Sequence, residues 1–276
     1  MIFARMLSFV LCAISFSISW VLFSVFRVRS RVILKNLDIV FGESKSVSEK
    51  QRMGRHCLAA FLRTVFEFLF SSTLYPFSKV DFQNADAAID YLKKGQGVYV
   101  LGIHQGNWEL LCHKGGQNLA KLHLAMKPIG GPRMAAWVRS RREKNCVHEI
   151  RRDAEVPAWQ QVNSRLQEGC IVGFVMDQRR RKGVLAPFFG REALTNVSLF
   201  RQWKGCRAPI FPLTIRRTGL LSHEAIFWNE FEVWNEDGCS EEEFYQKNAV
   251  IMNAKIEEMV RWNSEEYFWM HDRWKV

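Results

Sequence analysis

His104-Gln105-Gly106-Asn107-Trp108-Glu109 sets a histidine and a glutamate close together, directly after the apolar run 98–103 and ahead of a helical stretch that closes on Gly115 and Gly116. An imidazole with a carboxylate on one ring nitrogen has a fixed tautomer, and its other nitrogen can take a proton from a hydroxyl. On one uninterrupted helix, positions i and i+5 point apart, because only i+3 and i+4 neighbours share a face. The pair therefore needs a bend. A strand ending at His104, a turn at Gly106 and a cap at Asn107 put Glu109 in the first helical turn, where it can fold back toward the ring. General-base help of that kind is worth ~10²- to 10⁴-fold in rate. No Gly-x-Ser-x-Gly elbow or catalytic-cysteine motif is present, so the nucleophile is expected to be the substrate's own hydroxyl. The plain alternative is structural: the macrodipole favours any glutamate in a first helical turn, and a histidine at a strand end often only satisfies hydrogen bonds. His113 and His123 match no common zinc spacing with this pair, so no metal is expected.

The elements that must position the pair are read from periodicity. The runs 98–103, 170–176 and 210–215 are short and β-branched, as buried strands are, and the second stops at Asp177. A helix is expected from near Asn84 to before Gly95, and Pro132 and Pro157 are placed to open two more. Ser46 and Glu49 have capping-box spacing, followed by Leu58, Phe61, Leu62, Val65, Phe66 and Leu69 on one helical face. Tyr245, Ala249, Met252, Ile256, Met259 and Val260 repeat at helical spacing near the C-terminus. Helices alternating with buried strands predict an α/β fold with a central mixed sheet flanked by helices.

A length of 276 residues, 48% of them hydrophobic and 24% charged, excludes a disordered chain and a polytopic membrane protein. Residues 7–26 carry no charge and are long enough to span ~30 Å of hydrocarbon, although their serines dilute the apolar character. Arg27, Arg29, Arg31 and Lys35 follow, against Arg5 alone on the other side, which places the bulk of the protein on the cytoplasmic side. The expected organisation is an N-terminal membrane anchor over residues 1–30 and one domain over residues 31–276. Seven cysteines, an odd number without a CxxC pair, fit a reducing compartment.

The net charge of +11 favours anionic partners. Arginines and lysines crowd two stretches, 179–182 and 133–152, the second including Arg139, Arg141, Arg142, Arg151 and Arg152. Arginine suits phosphate through its fork of donors, whereas the plain reading of any one of them is a solvated face. A nucleic-acid-binding protein would carry aromatic-plus-basic recognition elements and need no anchor, so no nucleic acid is expected as a partner. A non-catalytic basic protein held at the membrane is the other alternative.

Several blocks in order resemble the bacterial lipid A biosynthesis acyltransferase family, within the lysophospholipid acyltransferase superfamily. They are the segment 31–41, the His-x4-Glu of His104 and Glu109, Asp177-Gln178-Arg179, Pro187-Phe188-Phe189-Gly190-Arg191, and the closing run Tyr267-Phe268-Trp269-Met270-His271-Asp272-Arg273-Trp274-Lys275. The resemblance implies a glycerol-phosphate acyltransferase-like fold and transfer of an acyl chain from acyl-acyl carrier protein or acyl-CoA to a hydroxyl of a membrane glycolipid. A lipid A precursor on the cytoplasmic face of a bacterial inner membrane is the implied acceptor, and no metal or nucleotide cofactor is needed; an acyltransferase acting on another membrane lipid is the alternative. It further implies His104 and Glu109 as the catalytic pair. Arg142, Asp177, Arg179, Phe189 and Gly190 are the expected substrate-binding residues.

Overall fold

Apolar runs too short for helices and too branched for loops become the centre of a sheet in the computed structural model, which describes residues 1–126, 130–151 and 154–275. Arg152 lies outside the described residues. The chain opens with α1 (Ile2–Trp20), prolonged by a π-helical turn over Val21–Val25, then α2 (Ser30–Phe41), α3 (Val47–Leu69) and the short α4 (Ser71–Leu74). Next come β1 (Lys79–Gln83), α5 (Asp86–Lys93), β2 (Val98–Gly102), α6 (Trp108–Asn118), β3 (Leu122–Leu124), α7 (Pro132–Lys144), β4 (Val147–Glu149), α8 (Ala158–Gln167) and β5 (Ile171–Val175). A hairpin of β6 (Val184–Phe188) and β7 (Arg191–Thr195) precedes α9 (Ser198–Gly205), β8 (Ile210–Arg217), β9 (Ser222–Phe227) and the long α10 (Glu241–Trp262).

The main sheet runs β1-β9-β8-β2-β5-β3-β4. Its three expected strands, β8, β2 and β5, are adjacent and parallel at the centre, buried on both faces, which is why they read as continuous apolar runs. The antiparallel pairing of β9 with β8 makes the sheet mixed, as expected. Alternate residues of β2 serve opposite layers. Tyr99 and Leu101 join the core beneath α10, while Val98 and Val100 join the core with Leu111 of α6. Pro132 opens α7 as expected; Pro157 stands one residue before α8, in the cap position.

The capping box at Ser46 is formed in both directions, and all six periodic residues of α10 are buried. In α3 the buried face turns away from the expected stripe. Val65 and Leu69 are exposed, whereas Thr64 and Glu67 are buried. Those two polar side chains are drawn inward by partners described below.

α1 packs along α3 with Ala4, Ser8, Leu11, Ser15 and Ser19 buried, and the small side chains of the alanine and the serines let the two helices approach. Ser8 donates to the Leu220 carbonyl at 2.8 Å, while Ser15 and Ser19 donate back to carbonyls of α1 itself, so each hydroxyl is satisfied. The serines thus belong to the inner face. Phe3, Met6, Phe9, Val10, Phe16 and Trp20 stand exposed on the outer face of a 24-residue apolar helix, Ile2–Val25, with mean hydropathy 2.2. That helix is apolar enough to cross a membrane.

Candidate active site

Parallel strands β2 and β5 pair with Gly102 opposite Val175, so the residues two places beyond each, His104 and Asp177, leave the sheet side by side. The crevice past the carboxyl ends of parallel strands is where α/β sheets bind ligands. Asp177 Oδ1 lies 2.8 Å from His104 Nδ1, and its Oδ2 accepts the His104 backbone N–H at 3.0 Å. One carboxylate therefore fixes both the ring and the main chain of the histidine.

The expected partner of His104 was Glu109, and the structure corrects this. Gly106 turns the chain at φ +60°, where a Cβ would meet the Ile215 carbonyl oxygen at 2.3 Å, and Asn107 caps α6 by accepting from Leu110 N–H at 2.9 Å. The bend is thus the expected one. From the first turn of α6, however, Glu109 points to Arg142, which donates through Nη2 at 2.6 Å and Nε at 3.1 Å. A two-pronged bond to a fixed guanidinium outcompetes a single bond to an imidazole. The carboxylate on the imidazole is Asp177, which spacing along the chain could not identify because it comes from a different strand.

The electrostatics follow from these contacts. Burial works against a charged His104, but the Asp177 carboxylate overcomes it, with a smaller contribution from Glu109, and the imidazole pKa lies above its ordinary value. Burial likewise opposes ionisation of Asp177, yet His104 and its backbone amide hold the carboxyl below the usual range. Arg142 is held charged by Glu109 against the cost of its burial.

Beneath the turn lies a polar network that sequence reading missed. Glu67 accepts from Asn107 Nδ2 at 2.6 Å, from Arg63 at 2.7 Å and from Arg217 at 3.1 Å. Arg217 also donates to Glu266 at 3.1 Å, and Thr64 donates to the Gly106 carbonyl at 3.0 Å. Gln105 donates to the Asn263 carbonyl at 2.9 Å and is bonded to Thr214. Every residue from Gln105 to Asn107 is therefore held from outside its own segment. The C-terminal run completes the cage. Phe268 N–H donates to the His104 carbonyl, and His271 Nε2 accepts the Arg179 N–H at 2.9 Å.

His104 opens on a cavity of about 920 Å³. Gln178, Arg179, Arg180, Arg181, Lys182 and Arg201 give it a polar, basic lining; Leu124, Met126, Ile150, Val162 and Phe174 supply apolar wall. Such a cavity fits a long apolar group with a charged or polar head at one end. Arg179, expected to bind substrate, lines this cavity. Phe189 and Gly190 are not: they form the turn of the β6–β7 hairpin, with Phe189 buried against Phe188, and neither lines this cavity. Arg142 does not line it either; its task is to hold Glu109. Among the described residues no cluster of three or more metal-ligating side chains occurs.

An imidazole held by a carboxylate beside a cavity of mixed apolar and basic lining suits proton removal from a hydroxyl, and the same site sits inside a recognisable family pattern. The profile of bacterial lipid A biosynthesis acyltransferases matches residues 1–276. The chain belongs to that family. It is accordingly an acyltransferase of lipid A biosynthesis, and the expected resemblance holds over its whole sequence. No curated protein matches this acyltransferase at a significant level.

Proposed function

We propose that this acyltransferase moves a fatty acyl chain from acyl-acyl carrier protein or acyl-CoA to a hydroxyl of a lipid A precursor at the cytoplasmic face of the inner membrane. The observation that carries the reading is the His104–Asp177 contact beside a cavity lined by both apolar and basic side chains. With Nδ1 held by Asp177, Nε2 of His104 takes the proton of the acceptor hydroxyl as its oxygen attacks the thioester carbonyl. The tetrahedral oxyanion is met by cations and polar donors that line the cavity beside His104. Collapse breaks the carbon–sulfur bond, and the departing thiolate receives the proton from the imidazolium. The exchange of one ester for another balances without a metal or nucleotide, and no acyl-enzyme forms.

Asp177 is thus a positioning residue, and Glu109 a second negative charge that favours the imidazolium while Arg142 keeps it in place. Arg179 and its basic neighbours meet the phosphates of the acceptor or the acidic carrier. Residues 1–30 are the anchor, with the inner face of α1 resting on the catalytic body formed by residues 31–276.

The test is mass spectrometry of lipid A from cells lacking the gene and complemented with the wild type or with His104→Ala. The wild type restores one acyl mass and H104A does not, with transfer in vitro lowered ~10²- to 10⁴-fold. Full acylation by H104A would exclude His104 as the base.

A further inference from the structure

Where the apolar helix ends, a second pocket of about 330 Å³ opens between the start of α2 and the middle of α3. Its wall includes Arg27, Arg31 and Arg55, with Phe23 and Leu34 as apolar floor, and no Asp or Glu lines it. Three arginines line one pocket whose lining holds no carboxylate, so an anion placed there is attracted by more than one of them. Ser24, Ser30 and Gln51 add polar atoms to the same wall. The pocket shares no lining residue with the cavity at His104.

The backbone brings α2 and α3 together around this pocket. Arg27 and Arg29 both have positive φ, 53° and 57°, a left-handed conformation that is unfavourable for a non-glycine residue. These two turns fold α2 back so that Ile33 and Leu37 pack in the same core as Phe23. Gly54 leaves room for that packing, since a Cβ there would come within 2.6 Å of the Phe23 ring. The end of the apolar helix is therefore packed against the stretch of α3 that carries Arg55. The first turn of α2 contains no acidic residue and no side-chain cap, so nothing in it offsets the positive charge.

We propose that this pocket binds the headgroup of an anionic phospholipid, its phosphate between Arg27, Arg31 and Arg55 and its acyl chains running along the exposed apolar face of the π-helical turn. The position supports a lipid source for the phosphate. Val25 and Phe26, exposed beside Arg27, belong in the hydrocarbon that the helix Ile2–Val25 enters, so the guanidinium groups stand at headgroup depth.

The experiment is native mass spectrometry of the full-length protein in detergent with added phosphatidylglycerol, phosphatidylcholine or inorganic phosphate. The wild type is compared with R31Q/R55Q and with K93Q/R191Q, which removes the same charge from exposed sites elsewhere. The wild type retains phosphatidylglycerol in preference to phosphatidylcholine, R31Q/R55Q loses about five-fold in affinity for each arginine removed, and the control pair keeps wild-type retention. Equal loss in both variants, or no loss in R31Q/R55Q, overturns the site in favour of diffuse attraction. Displacement of the lipid by millimolar inorganic phosphate overturns the lipid assignment in favour of a free-anion site. R31Q/R55Q still sediments with membranes, because α1 is untouched, so failure of this site is distinguishable from failure of the anchor.

Discussion

Glu67, Arg217 and Glu266, below the catalytic turn, have side chains no more than 10% exposed, and each is paired with an opposite charge and with a neutral side chain: Asn107 and Asn263 donate to the two glutamates, and Thr64 accepts from Arg217. Arg181 and Lys182, at the mouth of the cavity above, are exposed and sit on a loop after β5. The floor fixes a bend to within a hydrogen bond's tolerance, and the mouth offers charge on flexible stems. A proton must be taken at one point in space, whereas phosphates on a large lipid or a carrier protein can be met by cations that adjust. The difference predicts that the two regions fail in different ways when altered.

The largest effect is expected from the floor. Glu67→Gln removes the charge that Arg217 and Arg63 share, and breaking a buried pair in this way costs about 3–5 kcal/mol. A thermal melt in detergent reads the loss, and transfer falls with it because Asn107 loses its hold. An unchanged melting temperature would mean that the network is decoration. Arg181→Gln, at the mouth, gives the smaller effect: a KM raised less than about ten-fold, kcat and melting temperature near wild type, as for a solvent-screened charge. A fall in kcat without a change in KM would place Arg181 in the chemistry and remove the contrast.

What was readable from residue order follows the same division. β2, β5, β8 and α10 announce themselves because burial on both faces or along one stripe leaves a period in the sequence. The turn at Gly106 and the cap at Asn107 were readable because one glycine and one amide have narrow conformational uses. The partner of His104 was not, since Asp177 is adjacent only through the register of β2 with β5, and pairing between strands separated by three helices leaves no local mark. Glu67 and Arg217 were hidden for another reason: a charged residue in an amphipathic helix or at a strand end is ordinarily a surface residue, and only the fold turns these inward. β3 and β4, three residues each, are too short to show any period.

The central claim is that Asp177, not Glu109, is the carboxylate that governs the imidazole, and a pH–rate profile addresses it directly. His104 must be neutral to accept a proton, and its pKa is raised above the ordinary value of about 6.5, so activity in the wild type climbs with pH through a point above that value. Asp177→Asn removes the principal charge that raises it; burial then dominates, the acid limb moves to lower pH, and the plateau falls because the ring is no longer oriented. Glu109→Gln shifts the limb less, because Glu109 is the weaker influence on the ring. An acid limb unmoved in D177N, or moved further by E109Q, would contradict the account.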